Sequence, residues 1–391
     1  MTLDVKDPVA LAQALIRCPS VTPEEGGALT LLQEVLSPAG FTVERMTFTQ
    51  TGTPDVENLY ARIGSAGPNL CFAGHTDVVP PGHLDAWTIA PFAAEIRDGI
   101  LYGRGAVDMK GAVACFIAAA MRHLEQRNKV PESGSVSLLI TGDEEGPSIN
   151  GTAKVLEWLK ERHEQLDACL VGEPSNPNTL GDEIKIGRRG SLNGKVIVHG
   201  LQGHAAYPQK ADNPVPKLAR IIDRLSTEKL DDGTQNFEPS RLVVTVISVP
   251  NTATNVIPGR AEALFNVRYN DTWNRKSLEV HLADICQKAA QEVSARFELT
   301  FSGTGDVFLT QPGPLVDKMV AAVEAETGRR PDLTTGGGTS DARFIKDYCP
   351  VIEFGLVNKT IHQVDEHVPI ADLEILTRIY ERFISDFFAS G

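Results

Sequence analysis

His75, Asp108, Glu144, Glu145, Glu173 and His362 are the side chains on which hydrolytic chemistry can be built in this chain. His75, Glu144, Glu145 and Glu173 each lie just past a short apolar run, and Asp108 stands in a glycine-rich turn ahead of another. Taken singly, each has an ordinary structural account. Asp108 caps a helix, His75-Thr76-Asp77 is a polar turn, and Asp143-Glu144-Glu145 is a solvated acidic loop. Glu173 is a turn cap and His362 a loop histidine. Taken together they form a charge argument. Asp108, Glu145 and Glu173 supply three negative charges, and His75 and His362 supply neutral nitrogen donors. Two divalent cations and a bridging hydroxide would balance them, with a two-oxygen carboxylate as the bridge. Oxygen plus imidazole ligation suits zinc and tolerates cobalt or manganese. Glu144 is then left over as a base. Asp77, two residues from His75 in strand-like geometry, faces the same way and can orient the imidazole.

Such a set needs a frame that gathers separated strand ends. Residues 8–18 and 26–36 have helical spacing, and 41–48 alternate like a strand. Apolar runs at 69–73, 135–140 and 168–171 read as buried strands, with helices at 111–121 and 152–163. Strands alternating with helices, some apolar throughout, indicate a sheet covered on both faces, with polar residues collected past the strand ends. The pattern then changes. Strands at 192–199, 242–249, 261–269 and 297–301 interleave with helices at 215–225 and 277–295, which is the ferredoxin-like order. A helix at 315–327, a strand at 350–354 and a helix at 373–388 close the chain. The expected fold class is α/β: a domain with a mixed sheet flanked by helices, interrupted by an inserted ferredoxin-like α+β domain.

With 391 residues, 42% hydrophobic and 23% charged, the chain can bury two or three ordinary cores. Its formal net charge of −14 argues against nucleic acid as a partner, but leaves room for an anionic small substrate met by local cations. Cys18, Cys71, Cys115, Cys169, Cys286 and Cys349 are scattered without a CxxC pair, and read as free thiols of a reducing compartment. No signal segment and no bilayer-length apolar run is visible, so a cytoplasmic protein with no membrane partner is expected.

In combination, four motifs resemble the co-catalytic zinc amidohydrolases, the family of carboxypeptidase G, acetylornithine deacetylase and aminoacylase. They are His75-Thr76-Asp77, Gly103-Arg104-Gly105-Ala106-Val107-Asp108-Met109-Lys110-Gly111, Gly142-Asp143-Glu144-Glu145-Gly146 and Gly172-Glu173-Pro174-Ser175. Further segments narrow the resemblance to members acting on a succinylated diamino dicarboxylate in bacterial lysine and diaminopimelate biosynthesis. These are Gly187-Arg188-Arg189-Gly190-Ser191, Gly203-His204-Ala205-Ala206-Tyr207-Pro208, the run from Gly336 to Phe344, and Asn358-Lys359-Thr360-Ile361-His362. The likeness covers almost the whole chain and shows no departure at an implied ligand.

The resemblance implies two divalent metal ions per subunit, zinc, with cobalt or manganese as substitutes. It implies that Asp108 bridges them, that His75 and Glu173 complete one site, and that Glu145 and His362 complete the other. Asp77 would support His75, and Glu144 would be the general base of an amide hydrolysis releasing succinate. Arg188, Ser191, Asn255, Arg268, Gly337 and Thr339 would bind the substrate. His204 would donate a hydrogen bond to the amide carbonyl in the opposite subunit of a homodimer. The implied domains are 1–189 with 305–391, holding the metals, and 190–304, a lid and dimerisation domain. A cis peptide at Asp108–Met109 is also implied. The alternatives are an acetylornithine-type deacylase or a dipeptidase, and, in another class, an inactive metal-binding regulatory protein. The intact Glu144 speaks against the last.

Overall fold

The apolar runs at the centre of the sequence are strands buried along their whole length: Asn69–His75, Ser135–Thr141 and Ala168–Val171. In the computed structural model, which describes residues 3–126 and 134–389, they lie parallel, with Leu70 opposite Val136 on one side and Ala168 on the other. They form the middle of a mixed eight-stranded sheet. Its spatial order is Thr42–Phe48, Val56–Ile63, Ser135–Thr141, Asn69–His75, Ala168–Val171, Val351–Glu353, Glu183–Lys185, Asp332–Thr334. Thr42–Phe48 and Val56–Ile63 join it antiparallel. The Val56–Ile63 strand has no counterpart among the sequence expectations. Asn58, in its middle, is fully buried, where it donates to the Asn150 carbonyl at 2.9 Å and accepts from the Thr141 hydroxyl at 2.7 Å. A polar residue satisfied inside the core breaks the apolar run that marks a strand.

Helices cover this sheet. Lys110–Gln126 is buried from Lys110 through Ala120, as expected of a helix that is apolar almost all round. It packs against Ile370–Phe388 and Pro8–Ile16. The last of these starts where Asp7 accepts the N–H groups of Val9 and Ala10 at 2.9 and 3.1 Å, with Pro8 in the first turn. Thr152–Glu161 packs on the Ser135–Thr141 strand. A separate three-stranded sheet joins Glu95–Arg97, Ile100–Tyr102 and His367–Pro369. Its pairing of His367 with Tyr102 brings the chain's late loop beside the Asp108 turn.

The chain divides into two compact units. The larger contains Met1–Ile186, Thr310–Thr334 and Ser340–Gly391. The smaller contains Gly187–Leu309 and Thr335–Thr339. Within the smaller, the antiparallel order Arg241–Ser248, Arg260–Tyr269, Gly190–His199, Arg296–Gly305 is the ferredoxin-like arrangement expected from the element order. Helices Pro214–Thr227 and Arg275–Glu292 bury Leu218, Ile221, Leu278 and Leu282 against Leu192, Val196, Phe265 and Val267. All six cysteines are free thiols, and five are buried. Among the described residues, no helix is long and apolar enough to cross a membrane.

Candidate metal centre

His75 is the last residue of its buried strand, so its side chain emerges at the sheet's carboxyl edge. Its Nε2 lies 3.2 Å from Asp108 Oδ1 and 3.7 Å from Glu173 Oε1. His362 Nε2 lies 2.8 Å from Glu145 Oε1 and 3.3 Å from Asp108 Oδ2. Asp108 thus presents one carboxylate oxygen to each imidazole. Among the described residues, three overlapping groups of candidate ligands result: His75, Asp108 and Glu173; Asp108, Glu145 and His362; and His75, Glu144 and Glu145.

The turn that carries Asp108 is held from two directions. Met109 is fully buried, and its methyl group sits against Gly74 and Gly172, where an added Cβ would come within 2.5 and 2.7 Å of it. The two glycines at neighbouring strand ends therefore make the seat for Met109. The Asp108–Met109 peptide is cis, in agreement with the family resemblance. On the other side, Glu366 Oε1 accepts the N–H groups of Val107 and Asp108 at 2.9 and 3.1 Å.

Asp77 divides its functions. Its backbone carbonyl is 2.8 Å from His75 Nδ1, while its carboxylate is 3.6 Å from the same nitrogen. The carboxylate instead accepts the N–H groups of Glu144 and Glu145 at 3.3 and 3.0 Å. Asp143 shapes the rest of that loop, accepting from Ser148, Ile149 and Asn150 at 3.2, 2.8 and 2.8 Å.

The donor set fits divalent cations. With Nδ1–H donated to the Asp77 carbonyl, His75 Nε2 faces two carboxylates, a place that a proton fills here and that a divalent cation would fill in its stead. Glu173 Oε1 is buried with no hydrogen-bond partner among the described residues. Burial, reinforced by Asp108 and Glu144, pushes the Glu173 carboxyl well above the usual range, and burial does the same to Glu144. Burial also acts to raise Asp108, but hydrogen bonds from His362 and His75 hold it below the usual range. Hydrogen bonds to Asp108 and Glu145 in turn raise His362 to about 10. Protons thus neutralise part of the cluster, at positions where cations would do the same.

The remaining candidates lie in the smaller unit, in three local groups. Arg188 Nη1 donates to the carbonyls of Gly336 and Gly338, each at 3.2 Å, and so orders the loop that carries Gly337 and Thr339. Gly337 has φ +99°, a region that favours glycine. Ser191 and Arg268 are directly opposed on paired strands and share a sheet face. His204 Nδ1 accepts the Ala206 N–H at 3.0 Å, and the Asn255 carbonyl accepts the Ala205 N–H at 2.9 Å. With Nδ1 accepting, the His204 Nε2–H is the one that can donate outward. Sequence reasoning missed Arg104 and Glu366, whose buried side chains meet at 2.7 Å. No local pattern links an arginine to a glutamate so far along the chain.

A model of the family described as Peptidase family M20/M25/M40 matches residues 71–386. The chain belongs to this family. A succinyl-diaminopimelate desuccinylase of Methylorubrum extorquens is 58% identical over 382 residues, covering 97% of this chain and 99% of that protein. Solved structures share the M20 fold at lower identity. Aminopeptidase PepT from Bacillus cereus gives a TM-score of 0.79 at 20% identity, over 98% of this chain and 99% of that one. Bacillus subtilis YXEP, a dinuclear metal binding peptidase of the M20 family, gives 0.72 at 16%, over 97% of each chain.

Proposed function

We propose that this M20 chain hydrolyses the amide of N-succinyl-LL-2,6-diaminopimelate to succinate and LL-2,6-diaminopimelate, in bacterial lysine and diaminopimelate biosynthesis. The hydrolytic part of the reading is carried by the two-sided Asp108, one oxygen toward each imidazole, with Glu144 half-buried beside the same cluster. The choice of acyl group is supported by the desuccinylase relative, which this chain matches over nearly its full length.

His75 and Glu173 with one oxygen of Asp108 would hold one ion, and Glu145 and His362 with the other oxygen a second, zinc being the metal this donor set suits. When bound, the ions polarise the amide carbonyl and acidify water. Asp77 fixes the His75 ring through its carbonyl and the Glu144–Glu145 backbone through its carboxylate. Glu144 takes the proton from the attacking water and delivers it to the leaving amine. Arg188 and Arg268 are the cations that meet the substrate carboxylates, with Ser191, Asn255, Gly337 and Thr339 around them. His204 donates Nε2–H to the carbonyl oxygen as charge builds on it.

The homodimer reading finds support in the edge strand Arg241–Ser248. Its Val243, Val246 and Ile247 are 58, 43 and 63% exposed, an apolar sheet edge of the kind that a second copy covers. In that dimer the smaller unit is a lid, and His204 serves the partner's site.

Parallel assays of the zinc-loaded protein on N-succinyl-LL-diaminopimelate, N-acetylornithine and dipeptides test the reading. The succinylated substrate should have the highest kcat/KM. Preference for acetylornithine or a dipeptide would move the chain to another branch of the family. A zinc-loaded protein inert on every acyl amino acid would replace the enzyme with a regulatory protein.

A further inference from the structure

Arg104 and Glu366 form the most enclosed arginine–carboxylate pair among the described residues, with side-chain exposures of 3 and 0%. Burying two charges costs more than their attraction recovers unless the remaining donors and acceptors are also satisfied. Here the backbone of two ligand-bearing loops satisfies all but Arg104 Nε, which is buried without a hydrogen-bond partner among the described residues. Glu366 Oε2 takes the guanidinium at 2.7 Å, while Oε1 accepts from Val107 and Asp108. Arg104 donates in addition to the carbonyls of His362 and Gln363, at 3.4 and 3.2 Å, and its guanidinium lies 5.2 Å from the centre of the Trp87 ring. The Gly103 N–H reaches the Glu366 carbonyl at 2.9 Å and closes the contact from the main chain. His362 itself has φ +59°, a conformation that a non-glycine residue keeps only when its surroundings hold it.

Asp108 and His362 are therefore joined twice. Their side chains approach within 3.3 Å at the cluster, and their backbones are tied behind it through Arg104 and Glu366. We propose that Arg104 and Glu366 are positioning residues that lock the Asp108 and His362 backbones to each other and so set the affinity of the Asp108–Glu145–His362 cation site. This rests on the two-ion reading above. The pair's hydrogen bonds go to the Asp108 and His362 loops and not to His75 or Glu173, so the cation site those two share with Asp108 depends on it less.

The full-length apo protein, titrated with zinc against a chromophoric chelator, gives both affinities without reference to activity. The variants are Arg104→Lys, Glu366→Gln and the double Arg104→Met/Glu366→Leu. The double variant leaves no lone buried charge, so it separates positioning from folding. Each apo variant is checked by circular dichroism and thermal unfolding. Loading with cobalt adds a visible spectrum that reports the geometry of the second ion. The expected result is a folded double variant in which one ion binds within about threefold of the parent and the other binds at least about tenfold less tightly, with an altered cobalt band. Two unchanged affinities in a folded double variant overturn the proposal. So does loss of the apo fold in all three variants, since the pair would then be a folding determinant. If the parent chain itself takes up fewer than two ions, the two-ion reading falls and this proposal with it; the parent titration tells these failures apart.

Discussion

Asp77 grips the His75 ring with its backbone carbonyl, 2.8 Å from Nδ1, and not with its carboxylate, which stands 3.6 Å from that nitrogen. The carboxylate is engaged by the Glu144 and Glu145 N–H groups. Asp77→Asn should therefore leave the His75 ring oriented and disturb the base loop, because an amide offers one acceptor where two donors converge. Hydrogen bonds to a charged group contribute about 1.5–3 kcal/mol, so kcat should fall about 10- to 100-fold with metal content retained. Elemental analysis beside steady-state kinetics checks this. Loss of the His75-side ion would show that the carboxylate supports the imidazole after all.

Asp108 presents one carboxylate oxygen to each histidine. Asp108→Ala should lose both ions or keep one weakly. Plasma emission spectrometry after dialysis against excess zinc measures the stoichiometry. Two tightly held ions in the variant would end the bridging role.

Glu144 lies beside Glu145 and groups with His75. Glu144→Gln keeps its size and removes its basicity. Turnover should drop by about 10² to 10⁴ while both ions remain bound. Near-parental turnover would take the proton transfer away from this residue.

Arg188 already uses one nitrogen to hold the Gly336 and Gly338 carbonyls. Lysine cannot hold a loop and a carboxylate with one planar fork. Arg188→Lys and Arg268→Lys should each raise KM for the succinylated substrate about tenfold, with a smaller change in kcat. Identical KM values across parent and variants would place both arginines outside the substrate site.

His204 is exposed, with Nδ1 occupied by the Ala206 N–H. In the proposed homodimer, His204→Ala should keep the parent's assembly and metal content and lose about 10² to 10³ in rate. Mixing it with Glu144→Gln chains under subunit exchange should restore part of the activity, because one site of each heterodimer would combine an intact Glu144 with an intact His204. Heterodimers seen by native mass spectrometry but without recovered turnover would rule out service across the dimer.

Periodicity and chain order were enough for the central strands and the ferredoxin-like unit, but not for every strand of the sheets. The apolar stretches around Phe72, Leu138 and Leu170 mark buried parallel strands, because a strand covered on both faces has no polar side to show. The alternating strands after Gly190 declare the ferredoxin-like unit for the opposite reason, one face being covered and one open. The acids and imidazoles were legible as residues beyond those strand ends. Which oxygen meets which nitrogen was not. Val56–Ile63 was hidden by Asn58, whose shorter hydrogen bonds reach Thr141 and Asn150, distant in sequence. The reach of Glu366 to the Asp108 backbone, and the choice of carbonyl over carboxylate at Asp77, likewise exist only once loops distant in sequence are packed side by side. Burial is written locally, as a repeat along the chain; hydrogen-bond partners inside a site are settled by where the chain crosses itself.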